Sequence, residues 1–315
     1  MFDEMRFTFE ETSRDGRDVD VLTDHESGLR IGVSRLGAEL VSLARRNKAG
    51  EWIGFLYRDG DLTHAEAGWN NHATVMGYYT HRIKDGRSLY QGHEIRGETH
   101  SFLRHKNFGK PEAQSEERAS LTYRLEPEEI LPEEYPYRVA FAITYALEGD
   151  TLRVTFEFEN REPHTSHVSF GLHPGFAGAS LDACDVRMPP GKYARHFAPG
   201  NFLSGEVEEF DFPGGPMPFE RDDLLKSFLL ELKKVDAPLF VFADNETRRH
   251  VYLNFAGAPY VTIWSDGHAF VCVEPCWGLP DHHEQRPFEE KEGIQEIARG
   301  AVLRRSFTMA PMLGV

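Results

Sequence analysis

Apolar and polar residues alternate through most of the chain, and this pattern predicts antiparallel β-strands. In residues 137–147 apolar side chains occupy every second position, and Gly149-Asp150 then leads into a second alternating run at residues 152–159. Two such runs around a short glycine-containing turn predict a β-hairpin. Residues 29–33 and 39–44 predict an earlier pair, joined through Gly37, and further strands are predicted at residues 251–255, 260–264, 269–274 and 302–309.

Helical patterns are few. Downstream of Asp222-Asp223, apolar side chains at helical spacing predict a short helix whose apolar face holds Leu224, Leu225, Phe228, Leu229 and Leu232. Residues 189–218 are rich in glycine and proline, which predicts an irregular surface connection. No repeat or linker divides the chain, so residues 1–315 are expected to form a single domain, an all-β fold built as one large antiparallel β-sandwich.

Charge and cysteine content narrow the classes of partner. The chain has 51 acidic and 35 basic residues, a formal charge of -16, which repels nucleic acids and anionic membranes. Its three cysteines, Cys184, Cys272 and Cys276, are too few for a disulfide framework and suit a reducing compartment. The N-terminus lacks a signal-peptide pattern and no apolar run is long enough to span a membrane. We therefore expect a soluble, cytoplasmic protein, while the oligomeric state has no signature in the sequence.

The segment 166–176 contains the first candidate for chemistry. Its apolar residues alternate with small or polar ones, so His173 falls on the face opposite the apolar set, beside Ser169 and Gly171. Pro174 removes a backbone donor and is predicted to end the strand. An imidazole at a strand end with free space around it is well placed to meet a ligand. The alternative is a structural histidine held by hydrogen bonds.

The segment 269–275 contains the second candidate. Glu274 shares one strand face with Phe270 and Cys272, an unusual setting for a solvated carboxylate, and Pro275 is predicted to end this strand too. A partly desolvated glutamate holds its proton more readily than one in water, which suits a general base that works near neutral pH. The alternative is a glutamate paired with a neighbouring arginine or lysine.

These two segments together resemble the aldose 1-epimerase (mutarotase) superfamily. Residues 171–176 read Gly-Leu-His-Pro-Gly-Phe, and residues 271–278 read Val-Cys-Val-Glu-Pro-Cys-Trp-Gly. Three further segments are similar to family motifs and occur in the same order: Arg-Ile-Lys-Asp-Gly-Arg at 82–87, His-Ser-Phe-Leu-Arg at 100–104 and Lys-Glu-Gly-Ile at 291–294. The resemblance covers roughly residues 28–309.

The resemblance implies a galactose-mutarotase-like β-supersandwich with a sugar cleft on one sheet. It also implies interconversion of the α and β anomers of a free aldose without a cofactor or metal. In that scheme Glu274 is the base that takes the proton from the anomeric hydroxyl, and His173 is the acid that protonates the ring oxygen. The implied partner is a small-molecule sugar or sugar phosphate.

The resemblance also suggests residues that bind the sugar. His100 would be a second imidazole near the ring oxygen, Arg82 a donor to sugar hydroxyls, and Trp264 a stacking surface unless it is simply part of the core. Asp236 matches a family position whose carboxylate binds sugar hydroxyls. The run Asp-His-His-Glu at 281–284 is interpreted as solvated surface and not as a metal site.

Departures from the family pattern leave the substrate open. Ser101 stands where the family usually has glycine, the bulky residues 78–81 replace small ones, and Cys276 is inserted before the tryptophan. One alternative is a hexose-6-phosphate 1-epimerase, with Arg82, Arg104 and Lys106 as phosphate partners; if residues 100–104 are extended, His100 and Arg104 share a face. The others are a non-catalytic sugar-binding or sensing protein on the same fold, and a β-sandwich lyase or hydrolase, for which the sequence offers no second acidic motif.

Overall fold

The structure is a computed structural model that describes residues 5–58, 60–64, 69–115, 119–217 and 221–314. Nearly all its regular elements are strands, which in chain order are β1 Phe7–Arg14, β2 Arg17–Asp24, β3 Leu29–Ser34, β4 Glu39–Arg46, β5 Trp52–Gly54, β6 Ala73–Met76, β7 Arg87–Tyr90, β8 His93–Arg96, β9 Glu112–Gln114, β10 Ala119–Leu125, β11 Val139–Glu148, β12 Thr151–Asn160, β13 Ser166–Val168, β14 Phe170–Ala177, β15 Cys184–Met188, β16 Gly191–His196, β17 Val207–Phe212, β18 Gly215–Pro216, β19 Phe228–Lys234, β20 Leu239–Asp244, β21 Arg249–Asn254, β22 Tyr260–Trp264, β23 Phe270–Trp277, β24 Gln295–Ile297 and β25 Val302–Leu313. The helical elements are α1 Arg221–Leu225 and single 3-10 turns at Lys84–Gly86, Leu103–His105, Pro127–Glu129, Pro199–Asn201 and Phe288–Glu290.

The strands form three large sheets and two small ones. The N-terminal sheet has the order β1-β2-β3-β4-β5. A nine-stranded sheet has the order β18-β15-β20-β21-β25-β12-β11-β10-β9, and a seven-stranded sheet has the order β17-β16-β19-β22-β23-β14-β6. The pairs β13-β24 and β7-β8 complete the set. The paired strands run antiparallel, as the alternating sequence pattern predicts.

The nine-stranded and seven-stranded sheets pack face to face through aromatic side chains. Phe156 and Phe158 of β12 contact Phe170 of β14, with ring centroids 5.3 and 4.8 Å apart. Phe170 also stacks on Trp277 of β23 at 5.0 Å. One continuous cluster of buried apolar residues connects these sheets with the N-terminal sheet. The predicted all-β class and antiparallel sandwich are therefore confirmed.

The predicted hairpins are present in the structure. β11 pairs with β12 in the register Leu147–Leu152, around the turn at Gly149. β3 pairs with β4, and Gly37 between them has a φ of +73°, in the left-handed region that glycine tolerates best. Period-two alternation was sufficient here because successive side chains of a strand point to opposite faces, and in β12 these positions are buried and half-buried in turn over most of the strand.

Two predictions about residues 189–234 were wrong. The helix is only Arg221–Leu225, and the downstream leucines lie in β19, which pairs with β16 on one side and β22 on the other. Hydrogen bonding on both edges outweighs a weak helical preference. Residues 189–218 were expected to be irregular, but they contain β16, β17 and β18.

The predicted strand ends at Pro174 and Pro275 were also wrong, because both strands continue past the proline. The ladder between β14 and β23 pairs Gly171 with Cys276 and Gly175 with Cys272, and no pairing joins the residues between them. A proline needs no hydrogen-bond partner for its nitrogen, so it fits where the ladder is interrupted. No helix in the described ranges has the length and apolar composition needed to cross a bilayer.

Candidate active site

The interrupted ladder between β14 and β23 lies at a cleft of about 950 Å³. The cleft is lined by residues of β14, β22 and β23 and by the segments that approach them, among them Trp69, His81, His100, His173, Trp264 and Glu274. Most of the residues predicted from sequence to act on a ligand are therefore brought to one place.

His173 and Glu274 face each other across the interruption. The register is the same on both sides of the gap, so His173 of β14 is opposite Glu274 of β23. Directly opposed residues in an antiparallel pair project to the same face of the sheet. The Nε2 atom of His173 lies 3.4 Å from Oε1 of Glu274, close to but longer than an ordinary hydrogen bond.

Glu274 is buried without the partners that usually stabilise a carboxylate. It is 1% exposed, and neither carboxylate oxygen accepts a hydrogen bond from the described residues. Among the ion pairs of the described residues, no arginine or lysine pairs with Glu274, so that alternative is not supported. Burial raises the pKa of Glu274 well above its ordinary value, because the charged form loses its hydration. This carboxyl group can therefore hold a proton near neutral pH.

His173 is enclosed by other rings. Trp69 stacks on its imidazole at a centroid distance of 4.6 Å, while Trp264 and His100 approach edge-on at 5.6 and 5.1 Å. Burial, with a smaller contribution from His81, lowers the pKa of His173 to about 3. The same burial therefore favours the neutral form of both His173 and Glu274. The alternative of a hydrogen-bonded structural histidine is not supported at Nδ1, which has no hydrogen-bond partner in the described part of the chain.

His100 and His81 form a second layer of imidazoles beside His173. Both residues have left-handed backbone conformations, with φ of +65° at His100 and +56° at His81. The backbone N–H of His81 donates to Nδ1 of His100 at 3.2 Å. A neutral His100 therefore carries its proton on Nε2. Burial lowers the pKa of His100 well below its ordinary value and that of His81 to about 3.

Two arginines predicted to bind substrate also line the cleft. Arg82 and Arg104 have no carboxylate partner among the ion pairs of the described residues. The condition under which His100 and Arg104 would share a strand face is not met, because Ser101 has a φ of +65° and Leu103–His105 is a 3-10 turn. Lys106 instead points to Glu134, with its Nζ 2.6 Å from the carboxylate, and it does not line the cleft.

Two other acidic residues singled out from the sequence, Asp236 and Asp281, lie in settings different from that of Glu274. Asp236 lies in the exposed turn between β19 and β20 and is not among the residues that line the cleft. Asp281 is buried and holds the buried ammonium of Lys291 in an ion pair, and it also accepts a hydrogen bond from the backbone of Lys84 at 2.9 Å. The interpretation of residues 281–284 as solvated surface was therefore wrong for Asp281, although His283 and Glu284 are exposed.

Two cleft residues were not identified from sequence. Trp69 belongs to none of the motifs and lies outside any clear periodic pattern, so only the structure shows that it stacks on His173. His81 precedes Arg82 directly, and in the sequence it stands out only as a bulky departure from the family pattern. Its position next to the Arg-Ile-Lys-Asp segment was the signal that could have identified it.

The arrangement supplies a proton donor and a proton acceptor within 3.4 Å of each other in a cleft large enough for a monosaccharide. A cation could also be held here, because the ligand atoms of His173, Cys272 and Glu274 lie within 4.8 Å of one another. Acid–base chemistry at two neighbouring atoms of a small ligand is the simplest use of the first pair.

Comparison with known proteins gives the family. Residues 20–304 match the family model described as aldose 1-epimerase. A galactose mutarotase related enzyme from Lactobacillus acidophilus has a similar structure, with a TM-score of 0.81, 20% identity, and coverage of 98% of this chain and 100% of that one. A galactose mutarotase-like protein from Lactobacillus casei is also similar, with a TM-score of 0.76, 20% identity, and coverage of 97% of this chain and 100% of that one.

An aldose epimerase homologue from C. elegans is also similar, with a TM-score of 0.69, 12% identity, and coverage of 98% and 100% of the two chains. At these identities the solved structures show the fold alone. No curated protein sequence matches the chain. The match of the family model over most of the chain shows that this protein belongs to the aldose 1-epimerase family.

Proposed function

We propose that the protein is a single-domain cytoplasmic aldose 1-epimerase that interconverts the α and β anomers of a free aldose. The observation that carries the proposal is the pair His173 and Glu274, with Nε2 and Oε1 3.4 Å apart in the cleft. Ring opening of a hemiacetal needs one proton removed from the anomeric hydroxyl and one delivered to the ring oxygen. These two oxygens share one carbon, so the acid and the base must be neighbours.

In the proposed cycle Glu274 takes the proton of the anomeric hydroxyl while His173 gives a proton to the ring oxygen. The bond between the anomeric carbon and the ring oxygen breaks, and an open-chain aldehyde results. Rotation about the first carbon–carbon bond exposes the other face of the carbonyl. Reclosure returns the proton from Glu274 to the carbonyl oxygen and the hydroxyl proton to His173, so the pair ends with the protons it began with.

The buried setting fits this exchange because the pair holds one proton in either form. With a ring-closed sugar the proton is on His173; with the open chain it is on Glu274. Burial favours the neutral pair, which is the form present when the aldehyde exists. Burial therefore lowers the cost of the proton shift from His173 to Glu274 that accompanies ring opening in this scheme.

The remaining cleft residues would bind the sugar. His100 presents Nε2–H and can donate to a sugar oxygen next to His173. Arg82 can donate to sugar hydroxyls, and Trp264 offers an aromatic surface beside His173. Asp236 does not line the cleft and therefore has no part in this scheme.

The test is anomer interconversion, followed by polarimetry or by NMR exchange spectroscopy on a panel of free and 6-phosphorylated aldoses. Glu274→Gln keeps the shape but cannot accept a proton, and we expect it to lose about 10²–10⁴-fold in rate. Glu284→Gln, at an exposed position, is the matched control and should keep the wild-type rate. A Glu274→Gln variant that retains more than about a tenth of the rate would rule out the general-base role.

A sugar phosphate is the second candidate substrate, favoured by the two cleft arginines without carboxylate partners among the described residues. A dianion that enters a chain of charge -16 needs local cations. Sugar binding without interconversion on any member of the panel would instead indicate a carbohydrate-binding or sensing protein.

A further inference from the structure

Cys272 lies beside the proposed acid and base and has no part in the reaction described above. It is 0% exposed and shares the face of β23 with Glu274, two residues away. Its Sγ, a nitrogen of His173 and a carboxylate oxygen of Glu274 all lie within 4.8 Å of one another. Three different ligand types, each from a buried side chain, therefore converge on one point.

This ligand set has a definite chemical preference. A thiolate, an imidazole and a carboxylate are each common ligands of Zn²⁺, and three protein ligands with one open position are typical of zinc sites that exchange a fourth ligand. Hard cations such as Mg²⁺ and Ca²⁺ prefer sets made only of oxygen ligands. The sulfur atom therefore selects thiophilic divalent cations.

A second observation points to a ligand at this point. Both oxygens of Glu274 lack hydrogen-bond partners among the described residues, although the side chain is 1% exposed. Buried carboxylate oxygens are normally satisfied, and an unsatisfied one is costly. A cation would supply the missing partner. It can enter from the cleft, because His173 and Glu274 both line it.

We propose that His173, Cys272 and Glu274 form a binding site for a thiophilic divalent cation of the Zn²⁺ class, and that an occupied site excludes catalysis. On binding, the Cys272 thiol and the carboxyl group of Glu274 each release a proton to solvent, and metal–sulfur and metal–oxygen bonds form. Coordination also uses the lone pairs of His173 and Glu274 with which the sugar would exchange protons. The cation is therefore an inhibitor that competes with the sugar; this competition, unlike the binding itself, rests on the proposed function.

The test is titration of the chelator-treated full chain with Co²⁺, which reports thiolate ligation by a charge-transfer band in the near ultraviolet. We expect one equivalent to bind and the band to be absent in Cys272→Ser. Cys276→Ser is the matched control, because this cysteine is equally buried and lies on the same strand but contacts Thr262, 3.8 Å away, and is outside the ligand group. The double variant Cys184→Ser/Cys276→Ser keeps Cys272 as its only cysteine, so a band there identifies the ligand even if Cys272→Ser does not fold.

Activity supplies the second readout. Zn²⁺ should slow anomer interconversion of the wild-type chain, and sugar at saturating concentration should weaken the cobalt band. Cys272→Ser, measured relative to its own metal-free rate, should need at least about 10-fold more Zn²⁺ for the same inhibition, since even outer-shell changes cost that much affinity.

Absence of a thiolate band in wild type and in the double variant overturns the site. A band together with unchanged or increased activity overturns the inhibition. Metal binding to a chain that is inactive on every sugar overturns the proposed function but not the site.

Discussion

The indole of Trp69 lies parallel to the imidazole of His173, with ring centroids 4.6 Å apart and an interplanar angle of 28°. The stack keeps water from one face of His173 and fixes the orientation of the ring towards Glu274. We therefore expect Trp69 to act as a positioning residue and to contribute to the burial that lowers the pKa of His173 to about 3.

Trp69→Leu should lower turnover by up to about 10²-fold, the loss that small misplacements at a reacting centre produce. It should also raise the pKa of His173 towards the ordinary value of about 6.5, because water gains access to the ring. Trp69→Phe keeps an aromatic face and should rescue most of both effects. NMR titration of His173 and steady-state kinetics check this.

Trp52→Leu, at a tryptophan of the N-terminal sheet, is the control. A lower turnover with an unchanged His173 titration would show that Trp69 is only structural.

The two histidines beside Glu274 should not be equivalent. His173→Asn should reduce the rate most, by about 10²–10⁴-fold, because it removes the proposed proton donor. His100→Asn removes a hydrogen-bond donor to the sugar and should raise KM more than it lowers kcat. Measurement of both constants for both variants decides the assignment. If His100→Asn has the lower kcat, the acid is His100.

The pH dependence of kcat/KM should be a broad plateau. The active pair holds one proton, so activity is lost when a second proton binds to His173 and when the only proton leaves Glu274. The pKa of His173 is lowered to about 3 and that of Glu274 is raised, so the plateau extends from near pH 3 upwards through ordinary carboxyl values. Rates corrected for the uncatalysed reaction check this. A loss of half the activity on the acid side near pH 6.5, the usual imidazole value, would contradict the assignment.

Arg104 should decide between neutral and phosphorylated sugars. If a sugar phosphate is the substrate, Arg104→Ala should raise KM for glucose 6-phosphate and reduce its dependence on salt, with little change for glucose. Lys106→Ala is the matched control, since its ammonium is held by Glu134 outside the cleft. Equal losses on both sugars, or none, would leave the neutral aldose as the substrate.

Much of the fold followed from local pattern, because the two faces of each strand meet different environments, although β14 and β23 are buried on both faces. The hairpin β11–β12 and the strands carrying His173 and Glu274 were predictable for this reason. The ends of those two strands were not. Whether a proline ends a strand depends on whether the paired strand needs the backbone N–H that proline lacks. Here the paired strand is about a hundred residues away in sequence.

Site residues that lie on a strand within a recognisable motif were predictable, whereas those that lie on loops were less so. Glu274 and His173 followed from alternation and from the family resemblance together. Trp69 and the backbone at His100 did not, because both residues lie outside the regular strands, and His100 and Ser101 have left-handed backbone conformations. The helix expected after Asp222 is limited to Arg221–Leu225, because the residues that follow lie in β19, which is held on both edges by strands distant in sequence.

The shared register on both sides of the gap between β14 and β23 makes activity a reporter of correct sheet assembly. A slip of one residue in either strand would turn its side chain from the cleft into the core between the sheets. A chain refolded with such a slip could be compact and rich in β-structure, as judged by circular dichroism, and still be inactive. The fraction of refolded protein that interconverts anomers would then measure how many molecules paired these two distant strands in the native register.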